Sequence, residues 1–223
     1  MPAIARRIGR FEFHGISFPS GDVGGDLIDL VEFENGWIAY VADVSGHGVG
    51  AGVLMGMVKS ATHMALRVAQ PIDRLLTDLN TVLLDLKKPD MYVTLAGLQF
   101  DDSSGLRFSV AGHPPILHYK SSTASIEELS IAQLPVAMFP DRTYETARTD
   151  WAPGDLFVIL TDGLTDVFDR GDREFGLDRV KALVVEHAGA PVPQVQERLI
   201  GAARQHGRQM DDQTVLLIRA CRP

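Results

Sequence analysis

The chain's 223 residues can enclose one large core or two small ones, and with 45% of them hydrophobic a core of that size can be filled. A formal net charge of −8 argues against a surface that neutralises nucleic-acid phosphates, and the single cysteine, Cys221, excludes an internal disulfide and fits a reducing compartment. With no signal-peptide core and no uninterrupted apolar stretch of membrane-spanning length, the sequence predicts a cytoplasmic protein with neither membrane nor nucleic acid as a partner.

Strand-like apolar residues begin within the first twenty positions, beside Arg6, Arg7 and Arg10, which read as a solvated basic cluster. Residues 27–33 and 37–42 predict two strands joined at Glu34-Asn35-Gly36. That hairpin brings Asp26 and Asp43, at its two outer ends, to one edge of a sheet. From 49 to 70 the apolar period changes to that of a helix through Val53, Leu54, Met57, Val58, Ala61, Met64, Ala65 and Val68. Gly50, Gly52 and Gly56 weaken this helix, so close packing against the sheet is expected to compensate. A second helix over 71–86 opens on Pro71.

Strands are predicted at 92–100 and 106–111, split by the turn Asp101-Asp102-Ser103-Ser104-Gly105, and again at 116–119 after Gly112-His113-Pro114-Pro115. Residues 121–125 read as a polar loop and 143–151 as a further strand. The apolar run 156–160 suits a central strand; helices at 177–187 and 193–205 and a last strand at 215–219 follow. Strands and aspartate turns are spread over the whole length, so one domain over 1–223 is expected.

Four turns then stand out: Gly25-Asp26, Asp43-Val44-Ser45-Gly46-His47-Gly48, Thr161-Asp162-Gly163 and Asp211-Asp212-Gln213-Thr214. Carboxylates gathered at strand ends repel one another unless a cation stands among them. Mg²⁺ and Mn²⁺ favour such oxygen ligands, whereas His47, His63 and His113 have no zinc-like spacing. Asp26, Asp43, Asp162 and Asp211 are therefore the candidate ligands, with Gly25, Gly46, Gly48 and Gly163 letting backbone approach an ion or phosphate.

These turns, together with Met91-Tyr92-Val93-Thr94 and Ala111-Gly112-His113-Pro114-Pro115, resemble in type and order the motifs of sporulation-protein-E-type phosphatases. That group is a bacterial branch of the metal-dependent type 2C (PPM) protein serine/threonine phosphatases. The resemblance covers nearly the whole chain. It implies an α+β fold, a four-layer α-β-β-α sandwich with two central antiparallel sheets, and two Mg²⁺ or Mn²⁺ ions at one end. It also implies that Asp43 bridges both ions, that the backbone carbonyl of Val44 binds one, and that Asp162 and Asp211 complete the direct carboxylate set. Asp26 would reach an ion directly or through water.

The implied reaction is hydrolysis of phosphoserine or phosphothreonine by a water that the ion pair activates, with no phosphoenzyme. His47 is the candidate proton donor to the leaving alkoxide. Asp212 is expected to orient its neighbours, and His113 to be a structural turn residue. The implied partner is a phosphorylated protein, of the STAS type that antagonises an anti-sigma factor. Two other functions share these residues: a phosphatase-like regulatory domain that binds without turnover, and a hydrolase of small phosphoesters.

Overall fold

The computed structural model describes residues 3–46, 48–67 and 70–222. Two antiparallel sheets lie face to face. One has six strands in the order β1 (Ile4–Ile8), β2 (Phe11–Phe18), β11 (Gln213–Ala220), β10 (Leu156–Leu160), β7 (Ile116–Lys120), β8 (Ser125–Leu129). The other has five: β3 (Asp26–Phe33), β4 (Gly36–Val44), β5 (Val93–Asp101), β6 (Gly105–Ala111), β9 (Ala147–Arg148). Helices α1 (Val49–Leu66) and α2 (Ile72–Leu86) cover the five-stranded sheet, and α4 (Leu177–His187) and α5 (Val192–His206) cover the six-stranded one. This is the four-layer α-β-β-α sandwich expected from the resemblance.

Three apolar layers hold these four together. Leu27, Tyr40, Leu54 and Leu76 pack between α1, α2 and the five-stranded sheet; Phe13, Ile28, Trp37, Phe157 and Leu216 pack between the sheets. Leu117, Val158, Val184, Leu199 and Leu217 fill the third layer, under α4 and α5. A strand in such a sandwich is covered on both faces, which is why Leu156–Leu160 is apolar throughout and buried at every position. Fully burying each such side chain contributes roughly 1.5–3 kcal/mol.

Several elements depart from the sequence reading. Residues 121–124 do form a turn, but Ser125 already opens β8, whose Glu127 and Glu128 disguise an edge strand paired to β7. The strand expected over 143–151 shrinks to the two residues of β9. α1 ends at Leu66 rather than 70, and Val68 lies outside the described residues. Val53 and Met64 of its expected apolar face are exposed, while Ala51, Leu54, Val58, Thr62 and Leu66 are buried. Its glycines do not seat on the sheet: a Cβ at Gly50 or Gly56 would meet nothing within 4 Å, and one at Gly52 would meet only Val23. Arg6 and Arg7 sit on β1, and Arg6 pairs with Glu32 at the surface. No described helix is long and apolar enough to cross a membrane.

Candidate active site

The expected hairpin is present, with Phe33 opposite Gly36 and Asp26 opposite Asp43 at its far end. Asp43 is also paired in register with Thr94 of β5. From the other sheet, β10 ends at Leu160 and runs through Thr161 into the short helix α3 (Asp162–Thr165), while Asp211 and Asp212 immediately precede β11. The two sheets thus deliver their acidic turns to one end of the sandwich. Burial grades across them: Asp26 is 5% exposed, Asp43 is half-buried, and Asp162 and Asp211 are exposed. The arrangement has a closed floor and an open mouth.

Like charge and burial act together here. Burial pushes the Asp26 carboxyl up to about 8, aided by the charges of Asp43 and Asp212 and opposed by the Thr214 and Thr161 hydroxyls. Burial likewise raises Asp43 to about 7, with Asp162, Asp211 and Asp212 adding repulsion. Asp162 is raised too, first by the burial it has and then by Asp166 and Asp211. Asp43 is therefore the point on which the negative charge of both sheets converges.

Thr161, which the sequence reading passed over, and Asp212, which it expected to orient its neighbours, hold this edge together. The Thr161 hydroxyl donates to Asp26 Oδ2 at 2.8 Å and accepts the Thr214 N–H at 3.1 Å, so one side chain ties β3 to β10 and β11. Asp212 accepts from Ser20 N–H at 2.6 Å, from Gly25 N–H at 2.7 Å and from Asp26 N–H at 3.3 Å. Its carboxylate clamps the loop between β2 and β3 against β11. The only signal for Thr161 in the sequence was its place beside Asp162.

The donor set fits hard divalent cations. A Cβ at Gly25 would stand 2.7 Å from the Val44 carbonyl oxygen, 3.3 Å from that of Gly46 and 3.5 Å from Asp43 Oδ1, so glycine keeps open a cradle of three oxygens. At Gly163 the missing Cβ leaves room for the Asp212 carbonyl, which it would otherwise meet at 2.1 Å. At Gly46 and Gly48 no protein atom crowds the Cβ position, and both have positive φ, 89° and 79°, which glycine adopts without strain. Among the described residues no three Asp, Glu, His or Cys side chains form a finished cage. Mg²⁺-type sites commonly take one or two carboxylates and complete their shell with water, so the fit lies in open oxygen chemistry rather than in enclosure. His47 lies outside the described residues.

A cavity of about 450 Å³ opens at the opposite end of the sandwich, lined by Phe11, Trp37, Phe100 and Trp151 among others. None of the four candidate aspartates reaches it, so enclosure and chemistry are separated in this molecule.

The model of the family described as "Stage II sporulation protein E (SpoIIE)" matches residues 34–220. The chain belongs to the SpoIIE family. Asp43, Asp162 and Asp211 fall inside the matched span and Asp26 precedes it. Phosphoserine phosphatase RsbU of Bacillus subtilis is 24% identical over 209 residues, which are 92% of this chain and 62% of RsbU. The chain thus spans less than two thirds of that relative. Among solved structures, the SiaA-PP2C domain of Pseudomonas aeruginosa superposes with a TM-score of 0.82 at 22% identity, covering 93% of this chain and 85% of that one. RsbX, in a crystal with magnesium, gives 0.75 at 15% identity, covering 98% and 99%. The SpoIIE-family chain therefore has the PP2C fold.

Proposed function

We propose that this SpoIIE-family chain is one domain over 1–223 acting as a cytoplasmic Mg²⁺- or Mn²⁺-dependent protein phosphatase. It hydrolyses phosphoserine or phosphothreonine on another protein, here assigned as a STAS-type anti-sigma-factor antagonist. The observation that carries the reading is the meeting of Asp43 with Asp162, Asp211 and Asp26 at one end of the sandwich, where burial and then mutual charge raise the carboxyls of Asp26, Asp43 and Asp162. RsbU's name as a phosphoserine phosphatase and the magnesium in the RsbX crystal support it.

In this reading Asp43, the Val44 carbonyl, Asp162 and Asp211 would together hold the pair of divalent ions. Asp26 ligates directly or through water. When bound, a pair of divalent cations lowers the pKa of a water and offsets charge on the phosphoryl oxygens. The chain's own residues do the rest. Thr161 fixes the Asp26 oxygen that it bonds, and Asp212 immobilises the loop that presents Asp26. The exposed position of Asp162 and Asp211 leaves the mouth open to a phosphorylated side chain carried on a protein surface. His47 is assigned proton donation to the departing alkoxide.

The test is phosphate release from phosphorylated STAS protein, phosphopeptides and common phosphometabolites, with and without Mn²⁺, using Asp162→Asn as control. Metal-dependent release that favours the phosphoprotein and is lost in Asp162→Asn is expected. Preference for a metabolite, or binding of the phosphoprotein with no release at any Mn²⁺ concentration, would overturn the assignment.

A further inference from the structure

His113 is buried, 8% exposed, and lies between β6 and β7 at the metal end of the sandwich. Its Nδ1 is 2.8 Å from the Thr94 hydroxyl. Thr94 is the residue paired with Asp43 across β4 and β5. Its Nε2 is buried and has no hydrogen-bond partner within normal limits among the described residues. A buried ring nitrogen left so is costly, which calls for an explanation.

The strand ladder supplies one. β10 pairs with β7 as far as Val158 opposite Leu117, and continuing that register would set Leu160 opposite Pro115. Asp155 and Thr161, which flank β10, bond to the β11 side, through Ala220 N–H to Asp155 O and Thr161 N–H to Thr214 O. By alternation the Leu160 carbonyl faces β7. Pro115 has no N–H to offer it. The Leu160 main chain lies near enough to His113 to oppose the fall in its pKa, which burial takes down to about 3, so the ring is neutral and carries a proton on one nitrogen only. With the Thr94 hydroxyl donating to Nδ1, that proton belongs on Nε2, facing the carbonyl that Pro115 cannot serve.

We propose that His113 is a positioning residue that fastens Thr94 of one sheet to Leu160 of the other and thereby sets the separation of Asp43 and Asp162. Both links are close to the carboxylates: Thr94 lies opposite Asp43, and Leu160 lies two residues before Asp162. The inference rests on the metal-site reading above. It adds a reason why a histidine precedes two prolines at this point in the chain.

The test uses the full chain and Mn²⁺ alone, with binding followed by electron paramagnetic resonance well below each variant's melting temperature. His113→Ala and Thr94→Val should weaken Mn²⁺ binding by about 10–100-fold, the usual effect of losing an outer-shell partner. His113→Gln, which keeps an amide donor and acceptor, should recover part of that loss. A purely structural role would lower melting temperatures while leaving Mn²⁺ affinity of the folded protein at the wild-type value, and that result would overturn the proposal. Should His113→Ala fail to fold, Thr94→Val removes only the hydroxyl and carries the same test. Wild-type protein that binds Mn²⁺ but releases no phosphate would sink the phosphatase reading alone, whereas wild-type protein that binds no Mn²⁺ would sink both.

Discussion

Asp26 and Asp29 sit on one strand, both buried at 5% and 7% exposure, yet they meet opposite fates. Strand alternation puts Asp26 on the inner face with Ile28 and Asp29 on the outer face with Leu27. Under α1, Asp29 accepts from His63 Nε2 at 2.8 Å, Leu30 N–H at 3.0 Å, Lys59 Nζ at 3.2 Å and the Tyr40 hydroxyl at 3.3 Å. Asp26 has the hydroxyls of Thr161 and Thr214 but faces Asp43 and Asp212. One buried carboxylate is neutralised by the fold, and the other is held ready for a charge the fold does not provide. A protein that optimised stability alone would not build the second.

The sharpest break between the two sites is chemical. Asp43→Asn should lower kcat/KM for metal-dependent phosphate release by at least about 10³-fold, since in the proposed reading several kcal/mol of metal-borne stabilisation depends on that carboxylate. Asp29→Asn should leave the Mn²⁺ dependence intact. Steady-state assays across a Mn²⁺ titration distinguish them, and equal losses in both variants would dissolve the contrast.

Next is stability in metal-free protein. Asp26 rises from 3.8 to about 8 on folding, so the folded state binds more protons between those values. Its contribution is therefore fully present below about pH 3.8 and is lost as pH rises through about 8. Thermal unfolding in chelator should show Asp26→Asn as more stable than wild type near pH 8, by on the order of 3 kcal/mol, with the gain vanishing near pH 4. Added Mn²⁺ should raise the wild-type melting temperature more at pH 8 than at pH 5.

Asp29→Asn should move the other way, destabilising by about 2 kcal/mol with or without metal, because Lys59 and His63 lose a buried acceptor charge. Denaturant melts in chelator check the sign. The smallest effect belongs to Arg6→Ala, which breaks an ion pair with Glu32 between two half-exposed side chains and should cost under about 1 kcal/mol.

The layers of the fold were legible because burial on both faces leaves long apolar runs, as at Leu156–Leu160, and because turn residues mark where they stop. The aspartates were legible for the same reason, each falling at the end of such a run. What escaped depends on neighbours far apart in sequence. Thr161 looks like any residue before an aspartate until β3 is laid beside β10, and nothing local says that Asp212 will bond Gly25 across the sandwich. Edge elements failed for another reason: β8 faces solvent with Glu127 and Glu128 and has no apolar signature to read, while the strand-like stretch 143–151 finds a partner only at Ala147 and Arg148.

The claim beneath all of this is that acidic turns from two sheets surround cations at one end of the sandwich. Manganese anomalous diffraction from soaked crystals tests it directly. The account predicts ion peaks within coordination distance of Asp43, flanked by Asp162, Asp211 and the Val44 carbonyl, and absent from crystals of Asp43→Asn. Peaks elsewhere on the molecule, or none between these side chains at saturating Mn²⁺, would contradict it.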